Sequence, residues 1–240
     1  QFCQPVHTIH PGRIKQSGGS QLASRRNSKD DGDQQDKMKI VSMPEFRYYP
    51  LEEDIFITGK KGGGKTQRTT KILDLIRPKV NYWIWSPQRP IENYGSYGHI
   101  VRDINQLNDG QYVYAGTDWS DEAFIRFLKR AFTQFRNLVL ILDDIHERTT
   151  KQSVLKELNN LVLSGRNRGI SSIFITTRPG SVPNYILANV SHVFAYQFVL
   201  ETDVEWLQKN LLGPDAWILI SKDKRNKFFT GPEFHDILPK

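Results

Sequence analysis

The sequence GKKGGGKT, at residues 59–66, decides the fold. It matches the pattern G-x-x-x-x-G-K-[ST], and it lies between an apolar segment and a helix-forming segment. In that setting the glycines let the backbone wrap around phosphate groups, and the amino end of the helix adds positive potential. We predict that Lys65 reaches the β- and γ-phosphates of a nucleoside triphosphate and that the Thr66 hydroxyl is a ligand of Mg²⁺. The flanking strand and helix argue against the alternative, a glycine-rich turn with accidental spacing.

The predicted nucleotide-binding residues are those of this loop and the first residues of the helix. They are Gly59, Lys60, Lys61, Gly62, Gly63, Gly64, Lys65, Thr66 and Gln67.

Outward from this loop, short apolar segments alternate with helical patterns, which predicts an α/β fold with a mostly parallel sheet flanked by helices. We expect strands at residues 54–58, 80–85, 111–114, 137–142, 172–177 and 192–198. We expect helices at residues 65–76, 121–135, 151–163 and 203–212. Ser120 is the predicted N-cap of the second helix, Gly165 ends the third, and a capping box from Thr202 to Glu205 opens the fourth. A β-hairpin is predicted near the carboxyl end, with arms at 217–221 and 227–230.

Composition limits the domain organisation and the environment. Residues 11–38 are polar and charged with few aliphatic side chains, so we predict a disordered tail at 1–38 and one domain at 39–240. The net charge of +7 favours a polyanionic partner such as nucleic acid, although a basic protein without such a partner stays possible. The single cysteine, Cys3, excludes an intramolecular disulfide and favours a reducing intracellular environment. No apolar run is long enough to span a bilayer, so we expect no membrane association.

Two acidic residues follow the buried strand pattern LVLIL at residues 138–142. We predict that Asp143, at the strand tip, holds Mg²⁺ and that Asp144 polarises the attacking water as general base. Either acid can instead cap the following turn, and Glu147 lies close enough in sequence to compete for the role of base.

Two arginines and a threonine complete the candidate catalytic set. Arg166 and Arg168 lie on a glycine-flanked loop and suit charge stabilisation of a transferring phosphoryl group, often across a subunit boundary. We expect this loop at the same sheet edge as residues 59–66. The alternatives are a solvated basic loop and a contact to DNA phosphates. Thr177, at the next strand tip, is either a sensor of the γ-phosphate or an ordinary strand-end residue.

The order of these motifs resembles a known family. GKKGGGKT, then LVLILDD, then GRNRGIS leading into IFITTRP is similar to the FtsK–HerA superfamily of DNA-pumping ATPases, and most to viral genome-packaging ATPases of the poxvirus and double-jelly-roll virus type. The resemblance covers about residues 50–215 and implies a RecA-like P-loop core. It also implies that Asp143 is the magnesium acid, Asp144 the catalytic acid, and Arg166 or Arg168 the arginine given to a neighbouring subunit. Thr177 stands where many members have glutamine, and Asp144 where glutamate is commoner.

This resemblance implies ATP and Mg²⁺ as cofactors and a ring of five or six copies that drives double-stranded DNA into a capsid. Capsid vertex proteins are further expected partners, and the expected location is the host cytoplasm or the virion. Candidate DNA-facing loops are 87–99, with Arg89 and several tyrosines, and 146–151, with Arg148 and Lys151. Each can equally be plain surface.

Three other functions stay open at this point. A superfamily-three helicase also ends its second motif in two acids, but it usually carries asparagine where this chain has Thr177. A small-molecule kinase can use the same phosphate loop, although no arginine-rich lid is evident. A nucleotide-regulated scaffold is expected to lack a catalytic acid.

Overall fold

The computed structural model describes residues 48–196, 198, 200–207, 209, 210 and 227–230. The predicted tail at 1–38 and the first hairpin arm at 217–221 lie outside these residues. No helix among the described residues is long and apolar enough to cross a membrane.

The described residues form one sheet of eight strands, in the spatial order β3-β4-β2-β5-β6-β1-β7-β8. All neighbouring pairs run parallel except β7 and β8, so the predicted α/β fold with a mostly parallel sheet is confirmed. The strands are β1 Ile55–Thr58, β2 Asn81–Trp85, β3 His99–Val101, β4 Gln111–Tyr114, β5 Leu138–Leu142, β6 Ile170–Thr176, β7 His192–Ala195 and β8 Lys227–Thr230.

The central strands are buried on both faces. Every residue of β1, β5 and β6 is buried, which explains why these segments are mostly apolar and lack the alternation of a half-exposed strand. The helices cover the two faces: α1 Lys65–Ile76, α2 Pro90–Tyr94, α3 Asp121–Gln134, α4 Gln152–Ser164, α5 Asn184–Leu187 and α6 Glu201–Leu207. Because side chains alternate along β2, Trp83 and Trp85 join the core of one face while Tyr82 and Ile84 join that of the other.

Most predicted helices are confirmed within a residue or two. α1 has the predicted bounds, and α3 begins behind Ser120, whose hydroxyl accepts a hydrogen bond from the Ala123 amide at 3.1 Å. The predicted capping box of the last helix is wrong, because α6 begins at Glu201 and Thr202 lies inside it. The strands β6 and β7 differ from the prediction by two or three residues at one end.

Two elements were not expected from the sequence. β3 is a short edge strand with two exposed residues, and α2 has only five residues, so neither shows a readable period. The predicted loop 87–99 contains all of α2 and the first residue of β3. The second predicted hairpin arm is a strand, β8, and it pairs antiparallel with β7.

Candidate nucleotide-binding and catalytic site

The loop of residues 59–66 joins the carboxyl end of β1 to the amino end of α1. Gly59, Gly62 and Gly64 have φ angles of 143°, 76° and 97°, a range that side chains with a Cβ rarely adopt. A Cβ on Gly59 would lie 2.6 Å from the Cβ of Tyr196, so the chain directly after β7 approaches the loop too closely for any other residue. The loop therefore has the backbone shape that wraps phosphate groups.

The Lys65 side chain lies back over this loop. Its Nζ donates hydrogen bonds to the carbonyl oxygens of Gly59 at 2.9 Å and Lys60 at 3.0 Å. Burial lowers the pKa of Lys65, while the nearby Asp143 and Asp144 act in the opposite direction. An ammonium held among the loop carbonyls, with carboxylates close by, is placed to meet the terminal phosphates of a nucleotide. Gln67, by contrast, is exposed on α1.

Asp143 is buried at the carboxyl end of β5 and is held by three uncharged donors. Its Oδ2 accepts hydrogen bonds from Ser86 Oγ at 3.0 Å and from the Tyr94 hydroxyl at 3.3 Å, and its Oδ1 accepts one from the Asp144 amide at 3.0 Å. Burial raises the pKa of Asp143 to about 6, and the charge of Asp144 adds to the effect. Sequence reasoning missed Ser86 and Tyr94, because the segment that carries them has no periodic pattern.

These residues fit a magnesium ion that also binds phosphate oxygens. The phenol of Tyr94 has the Thr66 and Thr69 hydroxyls as polar neighbours besides Asp143, so both predicted magnesium ligands lie near the same side chain. No group of three or more His, Cys, Asp or Glu residues in the described part of the chain can hold a metal by itself. Mg²⁺ commonly uses one or two protein oxygens together with substrate phosphates, which matches this donor set.

The two candidates for general base have different surroundings. Asp144 is half-buried, begins a 3₁₀ turn with a φ of 53°, and has a raised pKa because of burial and the charge of Glu147. Lys65 and Lys61 lie near enough to act against that rise. Glu147 is exposed and accepts a 3.5 Å contact from Gln88 Nε2. Asp144 is therefore the acid that shares its environment with Lys65.

Thr177 follows β6 on the same edge of the sheet. Its Oγ1 lies 3.3 Å from Nε2 of His146, which belongs to the turn after Asp144. Burial lowers the pKa of His146, and Arg178 acts in the same direction. Thr177 and Arg178 line a cleft of about 340 Å³ together with Lys60 and Lys61. The structure thus brings Thr177 to the phosphate loop, as expected.

The arginine pair lies at the opposite edge of the sheet, so its predicted placement beside residues 59–66 is wrong. Arg166 and Arg168 form a 3₁₀ turn before β6, and in a parallel sheet the segment before a strand lies at its amino end. Arg166 Nε donates to the Glu52 carbonyl at 3.0 Å, just ahead of β1, and it is exposed. Burial raises the pKa of Asp54 to about 7, although the hydrogen bond from the Ser172 amide and the charge of Arg166 act in the opposite direction.

The Arg168 side chain contacts the carboxyl end of α3. Its Nη2 donates to the carbonyl oxygens of Thr133 at 3.2 Å and Phe135 at 3.5 Å, and its guanidinium lies 5.3 Å from the centre of the Phe132 ring. Both contacts are typical of a residue that closes a helix end.

Several side chains of the two predicted DNA-facing loops are held in ion pairs or buried, so only part of each loop can contact DNA. In the loop 146–151, Arg148 and Lys151 both form ion pairs with Asp121, at 3.2 and 3.0 Å. In the loop 87–99, Tyr94 is fully buried, while Arg89 is exposed beside the carboxyl end of β2. Of the residues expected to contact DNA, Arg89 has the freest cationic side chain.

Solved structures of nucleoside triphosphatases have a fold similar to that of this chain. The genome packaging NTPase B204 from Sulfolobus turreted icosahedral virus 2, in complex with AMP, matches with a TM-score of 0.65 at 15% identity, over 79% of this chain and 98% of that chain. The chain has the fold of a packaging NTPase. VirB4 of Thermoanaerobacter pseudethanolicus matches with a TM-score of 0.61 at 11% identity, over 78% of this chain and 89% of that one.

The cytoplasmic domain of EssC also matches, with a TM-score of 0.53 at 17% identity, over 83% of this chain and 42% of that one. No protein-family model and no curated protein sequence matches the chain. The resemblance inferred from the motif order is therefore confirmed at the level of the fold.

Proposed function

We propose that this chain is an ATPase that moves double-stranded DNA and packages it into a viral capsid. The observation that carries the proposal is the meeting of Lys65, Thr66, Asp143 and Asp144 at one edge of a parallel sheet, in a fold shared with a packaging NTPase. The solved B204 structures include complexes with AMP, AMPPCP and ATP-gammaS, which supports ATP as the nucleotide.

In this proposal the loop of residues 59–66 binds the phosphates through its amide groups and Lys65. Thr66 and Asp143 hold Mg²⁺, which supplies charge neutralisation at the β- and γ-phosphates when bound. Asp144 accepts a proton from the attacking water, because it is half-buried beside Lys65 and its raised pKa makes it a better base than an exposed carboxylate. Thr177 contacts the terminal phosphate and reports its presence to the turn that carries His146.

The arrangement of the arginines supports a site shared between subunits. Since Arg166 lies at the sheet edge opposite to its own phosphate loop, it serves catalysis only at the site of a neighbouring copy. A ring with head-to-tail contacts meets this requirement, because each subunit then offers one edge to the next. Arg168 supports the turn from which Arg166 projects.

ATP hydrolysis by the protein should be stimulated by double-stranded DNA, and the stimulation should fall as salt rises from ~50 to ~200 mM. The reason is that a motor holding DNA phosphates through lysine and arginine loses affinity when counterions compete, whatever the base sequence. The measurement is phosphate release with DNAs of two unrelated sequences, at each salt concentration, paired with the size of the assembly.

Arg89→Ala should reduce this stimulation more than Arg136→Ala, a matched removal of an exposed arginine at the other edge of the sheet. A rate that is indifferent to every form of DNA, together with phosphorylation of a small acceptor, would replace the proposal by the kinase alternative.

A further inference from the structure

We propose that Tyr94, together with Ser86, is a positioning residue that sets the orientation of Asp143 toward Mg²⁺. The inference rests on the proposed function, since it concerns the acid to which that function assigns the metal. It adds a role for α2, a five-residue helix that the sequence did not reveal.

The two oxygens of the Asp143 carboxylate accept hydrogen bonds from different kinds of donor. Oδ2 accepts from two side-chain hydroxyls, Ser86 at 3.0 Å and Tyr94 at 3.3 Å, whereas Oδ1 accepts from a backbone amide. Three hydrogen bonds fix the orientation of the Asp143 carboxylate. The lone pairs that accept none of these bonds remain free to bind a cation. Uncharged donors fix the group without cancelling the charge that attracts a cation.

The position of the Tyr94 hydroxyl is itself well determined. The side chain is fully buried and packs in the core of the face that α1 covers. It is the last residue of the short helix α2, which begins at Pro90. The residue before this helix, Arg89, has a left-handed conformation with a φ of 53°. Proline restricts that turn, so the end of α2 has few alternative placements.

Tyr94 also lies near the second proposed magnesium ligand, Thr66. The Thr66 and Thr69 hydroxyls are polar neighbours of the same phenol, and Thr69 is fixed by a 3.0 Å hydrogen bond to the Lys65 carbonyl. One buried phenol is therefore a neighbour of both the phosphate loop helix and the acid of β5. Its removal should change how these two ligands are placed relative to each other, without removing either.

A purely structural role for Tyr94 predicts a different result from a positioning role. Tyr82 provides the comparison, because it is another fully buried tyrosine whose hydroxyl donates to a backbone carbonyl, that of Tyr97. Tyr82→Phe removes one buried hydroxyl without touching Asp143. Any general effect of losing such a hydroxyl appears in both variants, and only the positioning effect is particular to Tyr94→Phe.

The test measures binding of a fluorescent ATP analogue by the full chain as Mg²⁺ is added, and again with the metal chelated. We expect Tyr94→Phe to need about 10-fold more Mg²⁺ for half-maximal enhancement of binding, the lower end of the loss seen when a partner of a metal ligand is removed. Affinity without Mg²⁺ should be unchanged, because the phosphate loop keeps Lys65 and its amides. Ser86→Ala should shift the requirement in the same direction, and Tyr82→Phe should leave it as in the unmodified protein.

An unchanged Mg²⁺ requirement in Tyr94→Phe and Ser86→Ala would overturn the inference while leaving the proposed function intact. Equal shifts in Tyr94→Phe and Tyr82→Phe would also overturn it, since they would show a general packing effect. If Tyr94→Phe does not fold, Ser86→Ala decides by itself. If the unmodified protein binds the nucleotide without any dependence on Mg²⁺, the assignment of Asp143 fails and the proposed function fails with it.

Discussion

Lys65→Ala should reduce ATP hydrolysis by about 10²–10³-fold while the protein stays folded. The ammonium of Lys65 donates hydrogen bonds to two carbonyl groups of the phosphate loop and lies near the carboxylates of Asp143 and Asp144. The fold should survive, because the lowered pKa of Lys65 shows that its charge is buried at a cost. Phosphate release and a thermal unfolding curve measure the two effects.

Lys71→Ala is the matched control, since Lys71 is an exposed lysine of the same helix, α1. It should hydrolyse ATP at the rate of the unmodified protein. Near-normal turnover by a folded Lys65→Ala protein would contradict the assignment of the phosphate loop.

The second large effect concerns the arginine supplied by a neighbouring subunit. Arg166→Ala combined with Arg168→Ala should lower turnover by about 10³–10⁵-fold, the range for an arginine that stabilises charge on a transferring phosphoryl group. In the proposed shared site this effect is intersubunit, because both residues lie at the amino ends of the strands whereas the phosphate loop lies at the carboxyl ends.

Mixing two kinds of inactive subunit tests whether the arginine acts at the site of a neighbouring subunit. A protein with both arginine substitutions keeps its phosphate loop, and a Lys65→Ala protein keeps its arginines, so an interface between them contains one complete site. In rings mixed at equal amounts, roughly a quarter of the interfaces are of this kind, and activity should recover toward that fraction. Absence of recovery in confirmed mixed rings would exclude the shared site, and so would full activity from a dilute monomer.

The two arginines should differ when changed singly. Arg166 is exposed and makes one backbone contact, whereas Arg168 is held by two carbonyl groups at the end of α3 and by the Phe132 ring. The structure therefore assigns most of the loss of turnover to Arg166→Ala and most of the loss of stability to Arg168→Ala.

The sequence predicted the fold well where its physical signals are local. The glycine spacing at residues 59–66 reflects the backbone conformation of that loop. The apolar residues of β5 and β6 reflect burial on both faces of the sheet. These two signals were therefore sufficient to predict the loop and the central strands. The same signals placed Lys65, Asp143 and Thr177 at one edge, because carboxyl ends of parallel strands meet there.

The sequence did not reveal what depends on chain topology or on short irregular segments. The expected position of Arg166 was wrong because the segment before a parallel strand lies at the edge opposite to the segment after it. Ser86 and Tyr94 contact Asp143 from a stretch of turns and five-residue helix, where no period marks the buried side. The ion pairs of Asp121, which hold Arg148 and Lys151, depend on how α3 and the turn after β5 pack together.

The central claim is that ATP hydrolysis moves this protein along double-stranded DNA. It is tested most directly by measuring displacement of the third strand from a DNA triplex. The unmodified protein with ATP should displace the third strand from a duplex that carries it at one end. Asp144→Asn, which keeps the proposed magnesium ligands Thr66 and Asp143, should bind ATP and leave the triplex intact. Hydrolysis of ATP on the duplex without displacement, or equal displacement by Asp144→Asn, would contradict the account.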